Sequence, residues 1–392
     1  MGVLDGIRIL ELARVAPAEL PGMMLADMGA EVLKIETPEP GRDTSDEWVR
    51  RTIHTFVNRN KRSMTLNMKA PEGQAVFRKL AAGADVIVEG FRPGVMKRLG
   101  ADYETLRALN PRLIYCSLSG FGQDGPYRDR PAHDMNYLSL AGVLNLIGEP
   151  DRKPVIPLNL VADYAGASLH GALGIALALF ARERTGRGQQ VSGSLMATAL
   201  TFGNSVLIEQ AINRPDRVPQ GNLGYGSAPA DLFLCGDGEW LIVQAVGQPL
   251  WQRFCKMLDA PEWLSDPRFA DDTQRGRHSH VVSERLGAWC AARPRADAIA
   301  AFEAARIPAG PVLSPQQALD DAHVRASGML RDIAFPGAPR PAPVADTPIR
   351  LSETPGAIRG RAPLLGEHTE AILAEIGYTM ADVARLRDKG VV

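Results

Sequence analysis

Apolar residues fall along this chain in short runs separated by longer amphipathic stretches, and the two kinds of spacing alternate. Ile7-Arg8-Ile9-Leu10-Glu11-Leu12 and Glu31-Val32-Leu33-Lys34-Ile35-Glu36 are runs of strand length, and Ala18 to Met28 between them has helical spacing. The β-α-β pattern returns twice. Pro71 to Ala82 reads as a helix leading into the strand Asp85 to Glu89, and Tyr103 to Leu109 leads into Arg112 to Ser117. Strands that alternate with helices predict a mainly parallel sheet covered on both faces, and so an α/β fold.

Beyond Ala162 the pattern changes to long helices of small and apolar residues, Tyr164 to Glu183 and Leu195 to Ile212, followed by a loop rich in Gly, Asn and Pro at Arg214 to Pro229. A domain boundary is expected there. From Asp231 to about Pro311 the chain reads as a smaller α+β domain. It holds a strand pair, Leu232 to Leu234 and Trp240 to Ala245, joined by the Gly236-Asp237-Gly238 turn, and then amphipathic helices. Phe335 to Pro363 is proline-rich and suits an extended segment crossing a surface, with a helix pair after Glu367. No internal repeat is present.

With 392 residues, 45% of them hydrophobic, the chain can bury a large core in more than one compact unit. Its 44 basic and 45 acidic side chains cancel, which argues against a nucleic-acid partner or a polybasic membrane contact. Cys116, Cys235, Cys255 and Cys290 lack metal-site spacing and suit reduced thiols in a cytoplasmic protein. No targeting segment is visible. The most apolar stretch, Gly171 to Ala181, is about half the length of a membrane span and is expected to be a buried helix.

Three constellations carry candidate chemistry. Gly120-Phe121-Gly122-Gln123-Asp124-Gly125 matches the spacing of a dinucleotide loop, but Asp124-Gly125-Pro126 signals a turn where that loop needs a helix N-terminus; a tight loop near a ligand is the better reading. The clusters Arg59-Asn60-Lys61-Arg62 and Arg92, Lys97 and Arg98 are either solvated surface or a cradle for a polyphosphate. Asp163 stands where an apolar run meets a helix rich in Ala and Gly. It is either a helix cap or a carboxylate kept ionised but poorly solvated, usable as a nucleophile or base. His133, in Pro131-Ala132-His133-Asp134-Met135-Asn136-Tyr137, is equally ambiguous alone.

The sequence as a whole resembles the family III CoA-transferases, the group that includes formyl-CoA and carnitine CoA-transferases and the α-methylacyl-CoA racemases. The resemblance runs nearly end to end. It rests on Leu25 to Glu36, Asn60-Lys61-Arg62-Ser63, Glu89 to Gly94, Leu118 to Gly122, Ala162-Asp163-Tyr164, Arg184 to Gln189 and Leu365-Gly366-Glu367-His368-Thr369. It implies a Rossmann-like large domain with a parallel sheet, built from residues 1–220 and a returning C-terminal segment, 326–392, and a smaller α+β domain at 225–325. It also implies an interlocked homodimer with its active site between domains. Asp163 would attack an acyl-CoA thioester and later carry CoA as an aspartyl-CoA thioester. CoA contacts are expected at Val15, Ala16, Pro17, Lys34, Asn60, Lys61, Arg62, Arg92 and Arg98.

Within that group two activities compete for the same pocket. Racemisation needs two acid/base groups on opposite faces of the α-carbon, and His133 with Asp163 resembles the racemase pair. The Glu that supports such a His is absent, since Gly247 stands at its place; Phe254-Cys255 and Asp266 to Ala270 resemble the transferases, although Gly90 stands where several of these have Asn. CoA transfer from an acyl-CoA thioester to a carboxylic acid is therefore the first expectation, α-methylacyl-CoA racemisation the second, and a non-catalytic acyl-CoA-binding protein the third. The His133 setting points to a branched or bulky acyl group rather than formate or oxalate. None of these needs a permanently bound cofactor or metal, and the coenzyme A thioester is a substrate. Acyl-CoA, a carboxylic acid and a second copy of the chain are the expected partners, without nucleic acid or membrane.

Overall fold

The computed structural model describes residues 1–39, 52–213, 221–222 and 226–392. Much of the loop expected at 214 to 229, and with it the domain boundary near 220 to 225, lies outside the described residues. The chain forms two compact units, one from Met1–Leu144, Pro157–Arg214 and Arg325–Val392, the other from Asn145–Ile156 and Pro215–Val324.

In the first unit six strands make one parallel sheet: β1 (Arg8–Leu12), β2 (Glu31–Glu36), β3 (Lys61–Thr65), β4 (Val86–Glu89), β5 (Ile114–Ser119) and β6 (Gln190–Ser194), in the order β3-β2-β1-β4-β5-β6. The order reverses between β1 and β4. Successive residues of each strand face opposite layers: Leu10, Ile87 and Tyr115 join one core with Phe77, Leu106, Ile372 and Leu373, while Ile9, Val86, Val88 and Cys116 join the other with Ala18, Ile175 and Leu179. Burial on both faces explains why these strands read as nearly continuous apolar runs.

The covering helices are α1 (Ala16–Asp27), α2 (Thr52–Val57), α3 (Pro71–Ala82), α4 (Val95–Arg98), α5 (Tyr103–Leu109), α6 (Asp134–Leu140), α7 (Leu169–Thr185) and α8 (Leu195–Asn213). Local chemistry fixes several starts. Pro71 opens α3 after the extended Ala70, and the Asp102 carboxylate caps α5 by accepting from the Thr105 N–H. The long helix expected from Tyr164 instead begins with a π-helical segment, Leu160–Ser168, and only then becomes α7. Such wide turns recur at functional sites.

Among the described residues five strands escape the sequence pattern: β3, read as a basic cluster, β6, the short Ala309–Pro311 of the second unit, and the antiparallel pair Leu330–Ile333 and Ala342–Ala345, the latter within the stretch read as an extended segment. The Gly171 to Ala181 helix is also not buried all round. Gly171 and Gly174 let one face approach Leu118 and Val191, whereas Leu169, Leu173, Leu177 and Phe180 form an exposed stripe, the last 65% exposed. Leu160–Thr185 and Leu195–Asn213 are long and apolar enough to cross a bilayer by length and composition.

The C-terminal segment closes the first unit at its β3 edge. Thr369 Oγ1 accepts from the Thr65 N–H at 3.0 Å, the His368 ring accepts from the Ser63 N–H at 3.2 Å, and Ile372 and Leu373 enter the core.

In the second unit β7 (Ala230–Leu234) and β8 (Trp240–Gln244) form the expected antiparallel pair, extended by β9 (Ala309–Pro311). Its core stacks Trp251 on Trp263, with ring centroids 5.7 Å apart, and Arg275 lies over Trp251. Gly247, at φ +90°, donates its N–H to Asp272 at 3.2 Å.

Candidate active site

In open parallel sheets the crevice at the carboxyl ends of the strands, where the order reverses, is where ligands bind. Here the loop after β1 and the loop after β4 border that crevice. A cavity of about 680 Å³ opens onto both, lined by Arg14 to Glu19 and Gly90 to Pro93. Gly90 makes the junction possible, because a Cβ at that position would stand 2.7 Å from the Cβ of Ala18. The end of β5 adds Ser119 and the loop after it Gly120 and Phe121, so the glycine motif lies against the cavity as a tight loop and not at a helix start. Gly120 has no room for a side chain because the Tyr137 ring passes over it.

Asp163 and His133 line this cavity together with Val15, Ala16, Pro17 and Arg92. Arg98 lines a second cavity of about 750 Å³ at the ends of β1, β2 and β3, and Arg14 and Phe91 border both cavities. The other expected CoA contacts stand elsewhere. Lys34, Asn60, Lys61 and Arg62 line neither cavity. Lys34 Nζ, on a side chain 1% exposed, binds Glu19, the Ala13 carbonyl at 3.1 Å and Glu11. Lys61 Nζ donates to both Glu11 oxygens at 2.9 and 2.7 Å, to the Glu19 carbonyl and to Asn58. Asn60 ties Asp27 to the 357–360 backbone, and Arg62 bridges Glu31 and Glu375.

Burial pushes the Glu11 carboxyl up and the Lys61 ammonium down, and each is countered by its opposite charge; burial also works against the Lys34 ammonium, yet Glu11 and Glu19 hold it above its ordinary value. These lysines fasten the sheet to α1 and hold the loop after β1.

Asp163 lies in the π-helical segment. Its carboxyl is pushed up to about 7, first by burial and then by the charge of Asp134, with a hydrogen bond from Asn159 acting the other way. Asp134 is 3% exposed and opens α6. Its Oδ2 accepts the Asp163 N–H at 2.7 Å, and its Oδ1 is buried without a hydrogen-bond partner among the described residues. Burial raises its carboxyl as well, opposed by the nearby backbone N–H groups of Asp163 and Ala162. Ser168 Oγ lies 2.9 Å from the Asp163 carbonyl oxygen and 3.1 Å from that of Pro17, linking the turn to the start of α1. Gly166 lets this turn pack against Thr198 of α8.

His133 precedes α6, where its N–H donates to the Asn136 side chain at 2.9 Å. Tyr137 donates its hydroxyl to the Ala132 carbonyl, and its phenol is pushed up to about 12 by burial and by Asp163. Arg128 and Arg130 complete the cationic lining with Arg14 and Arg92. Sequence reasoning passed over Asp134, Arg128, Arg130 and Asn159. The only available signal for Asp134 was its place beside His133, and Arg128 and Arg130 read as part of a charged turn.

The cavity thus offers one partly desolvated carboxylate of raised basicity facing a space lined by arginines, an arrangement suited to nucleophilic attack within an anionic substrate. The chain matches the model of CoA-transferase family III over residues 4–369. It is 33% identical to the succinyl-CoA–D-citramalate CoA-transferase of Chloroflexus aurantiacus over 99% of this chain and 98% of that protein. It is 35% identical to the succinate–glutarate CoA-transferase of Agrobacterium fabrum over 95% of each. The crystal structure of a CAIB/BAIF family protein from Brucella suis covers 96% of this chain and 99% of its own, with a TM-score of 0.83 and 31% identity. A parallel sheet reversing at β1 and β4, a half-buried carboxylate lining the cavity there and a match over nearly the whole chain make this protein an enzyme of CoA-transferase family III.

Proposed function

We propose that the enzyme moves CoA from an acyl-CoA thioester to a carboxylic acid by way of an aspartyl-CoA thioester on Asp163. The carrying observation is the Asp163 carboxyl, raised to about 7 and lining the switch-point cavity. In its ionised form an Asp163 oxygen attacks the thioester carbonyl, the C–S bond breaks, and CoA leaves as a thiolate beside a mixed anhydride. The thiolate attacks the Asp163 carbonyl carbon and releases the donor's acid. The acceptor carboxylate then expels the thiolate from the aspartyl-CoA, and the thiolate attacks the acceptor's carbonyl carbon, restoring Asp163. No net proton is consumed.

Arg14, Arg92 and Arg98, spread over the two adjoining cavities, suit the phosphates of CoA. Arg128 and Arg130 support an acceptor with a second anionic group, as in the relatives named for citramalate and glutarate. Incubation with acyl-CoA followed by hydroxylamine is expected to convert Asp163 to its hydroxamate, detected by peptide mass spectrometry. An unmodified Asp163 across a broad donor panel would overturn the reading.

A second reading, racemisation of a 2-methylacyl-CoA, is favoured by His133 and Asp163 lining one cavity. It requires α-proton exchange in D₂O without an acceptor acid. No exchange is expected, and rapid exchange abolished by His133→Ala would decide for racemisation.

A homodimer in a reducing cytoplasm is the proposed working state. The stripe Leu169, Leu173, Leu177 and Phe180 is an exposed apolar face. The same helix commits its other side to the sheet through the Arg182–Asp85 ion pair at 2.8 Å, which favours a second copy over lipid as its cover. Leu177→Asp is expected to halve the mass measured by light scattering.

A further inference from the structure

A buried carboxylate oxygen without a partner, next to the nucleophile's own turn, is not accounted for by packing. Leaving a charged acceptor desolvated and unpaired is costly, and such groups persist where they act on a neighbour. We propose that Asp134 is a positioning residue for Asp163: its Oδ2 anchors the nucleophile's backbone N–H, and its buried carboxylate, held against the nucleophile's turn, makes Asp163 the stronger nucleophile. This rests on Asp163 being the nucleophile.

The surroundings support it. The elements packed on the π-helical segment bring Glu19 from α1, His133 and Tyr137 at α6, His170 from α7 and Glu209 in the last turns of α8; Arg92 comes from the loop after β4. Glu19 is bound to Lys34, and Arg92 acts on the Tyr137 phenol. Among these groups it is Asp134 that adds to the burial of Asp163 in raising its carboxyl, and the Asn159 amide that opposes the rise. Reactivity of an oxygen nucleophile grows with its basicity, so a like charge held at fixed distance makes the ionised Asp163 more reactive and shifts the pH at which it ionises upward.

The sign follows directly. Asp134→Asn keeps an oxygen acceptor for the Asp163 N–H and removes the charge, so Asp163 ionises at lower pH. The acid limb of kcat/KM, and of hydroxylamine-trapped adduct formation, is expected to move down by about half a unit or more, and the plateau rate to fall about two- to threefold. Asp134→Ala, which also loses the anchor, is expected to show the same limb shift with a plateau loss of about tenfold or more. A role in packing alone lowers the plateau and leaves the limb in place, and an unmoved limb in Asp134→Asn overturns the inference. Should that variant fail to fold, the reciprocal measurement decides. In the wild type, ¹³C NMR of labelled aspartate carboxyls is expected to show Asp134 ionising before Asp163, with a further shift of the Asp134 signal as Asp163 ionises that Asp163→Asn abolishes; an Asp134 still protonated while Asp163 ionises overturns the inference. Failure of the underlying reading looks different, because then the wild type forms no Asp163 adduct at any pH.

Discussion

Two clusters of charge in the first unit differ in their pairing. In one, Glu11, Lys34, Glu19 and Lys61 pair opposite signs and hydrogen-bond almost every donor and acceptor they carry. In the other, Asp134 and Asp163 pair like signs and leave an oxygen unsatisfied. The first is the more deeply buried: its four side chains are all buried, whereas in the second Asp134 is buried and Asp163 half-buried. Glu19 and Asp163 both line the switch-point cavity, but Glu19 is bound to Lys34. Burial of charge therefore does not mark a site. A failure to compensate it does, because uncompensated charge is energy held ready for a substrate.

The sharpest way to break this contrast is to remove one member from each cluster. Asp163→Ala is expected to lower kcat/KM by about 10³-fold or more while leaving the protein folded, measured with a saturating acceptor acid. Lys61→Met should do the reverse. It leaves Glu11 short of a partner, so a loss of about 3–5 kcal/mol in urea unfolding is expected, with an unchanged acid limb of the rate profile. Replacing Glu11 and Lys61 together by Leu and Met is expected to cost less than Lys61→Met alone, because no lone charge remains.

A smaller effect tests the sign of the second cluster. The Asp163 carboxyl ionises near 4 when unfolded and near 7 when folded, so the folded state holds its proton more tightly, and its stability declines as pH rises through that window. Asp163→Asn is therefore expected to stabilise the protein by ~1 kcal/mol at pH 8 and by nothing at pH 3, read from denaturation midpoints.

What the sequence made legible follows the same division. Strands buried on both faces and helices with one apolar side announce themselves by spacing, and Asp163 stands out where an apolar run meets a small-residue helix. Lys61 and Arg62 did not. Basic side chains in a row look like surface, and only pairing with a carboxylate fifty positions earlier on β1 turns Lys61 into core and the run into β3. Asp134 was hidden for a related reason. Its neighbour His133 has the more familiar chemistry, and its own role depends on a main-chain N–H that the fold delivers from a distant turn. Long-range compensation, or its absence, has no local signature.

The C-terminal closure of the β3 edge has a consequence for biosynthesis. The residues that carry Thr369, Ile372 and Leu373 leave the ribosome only after the entire second unit has been made. Until then the nascent first unit holds a nearly complete sheet whose outermost strand lacks its cover, a state in which exposed apolar surface and strand edges invite association with other chains. The order of translation thus leaves the second unit free to fold first, and makes the last few dozen residues the step that commits the first.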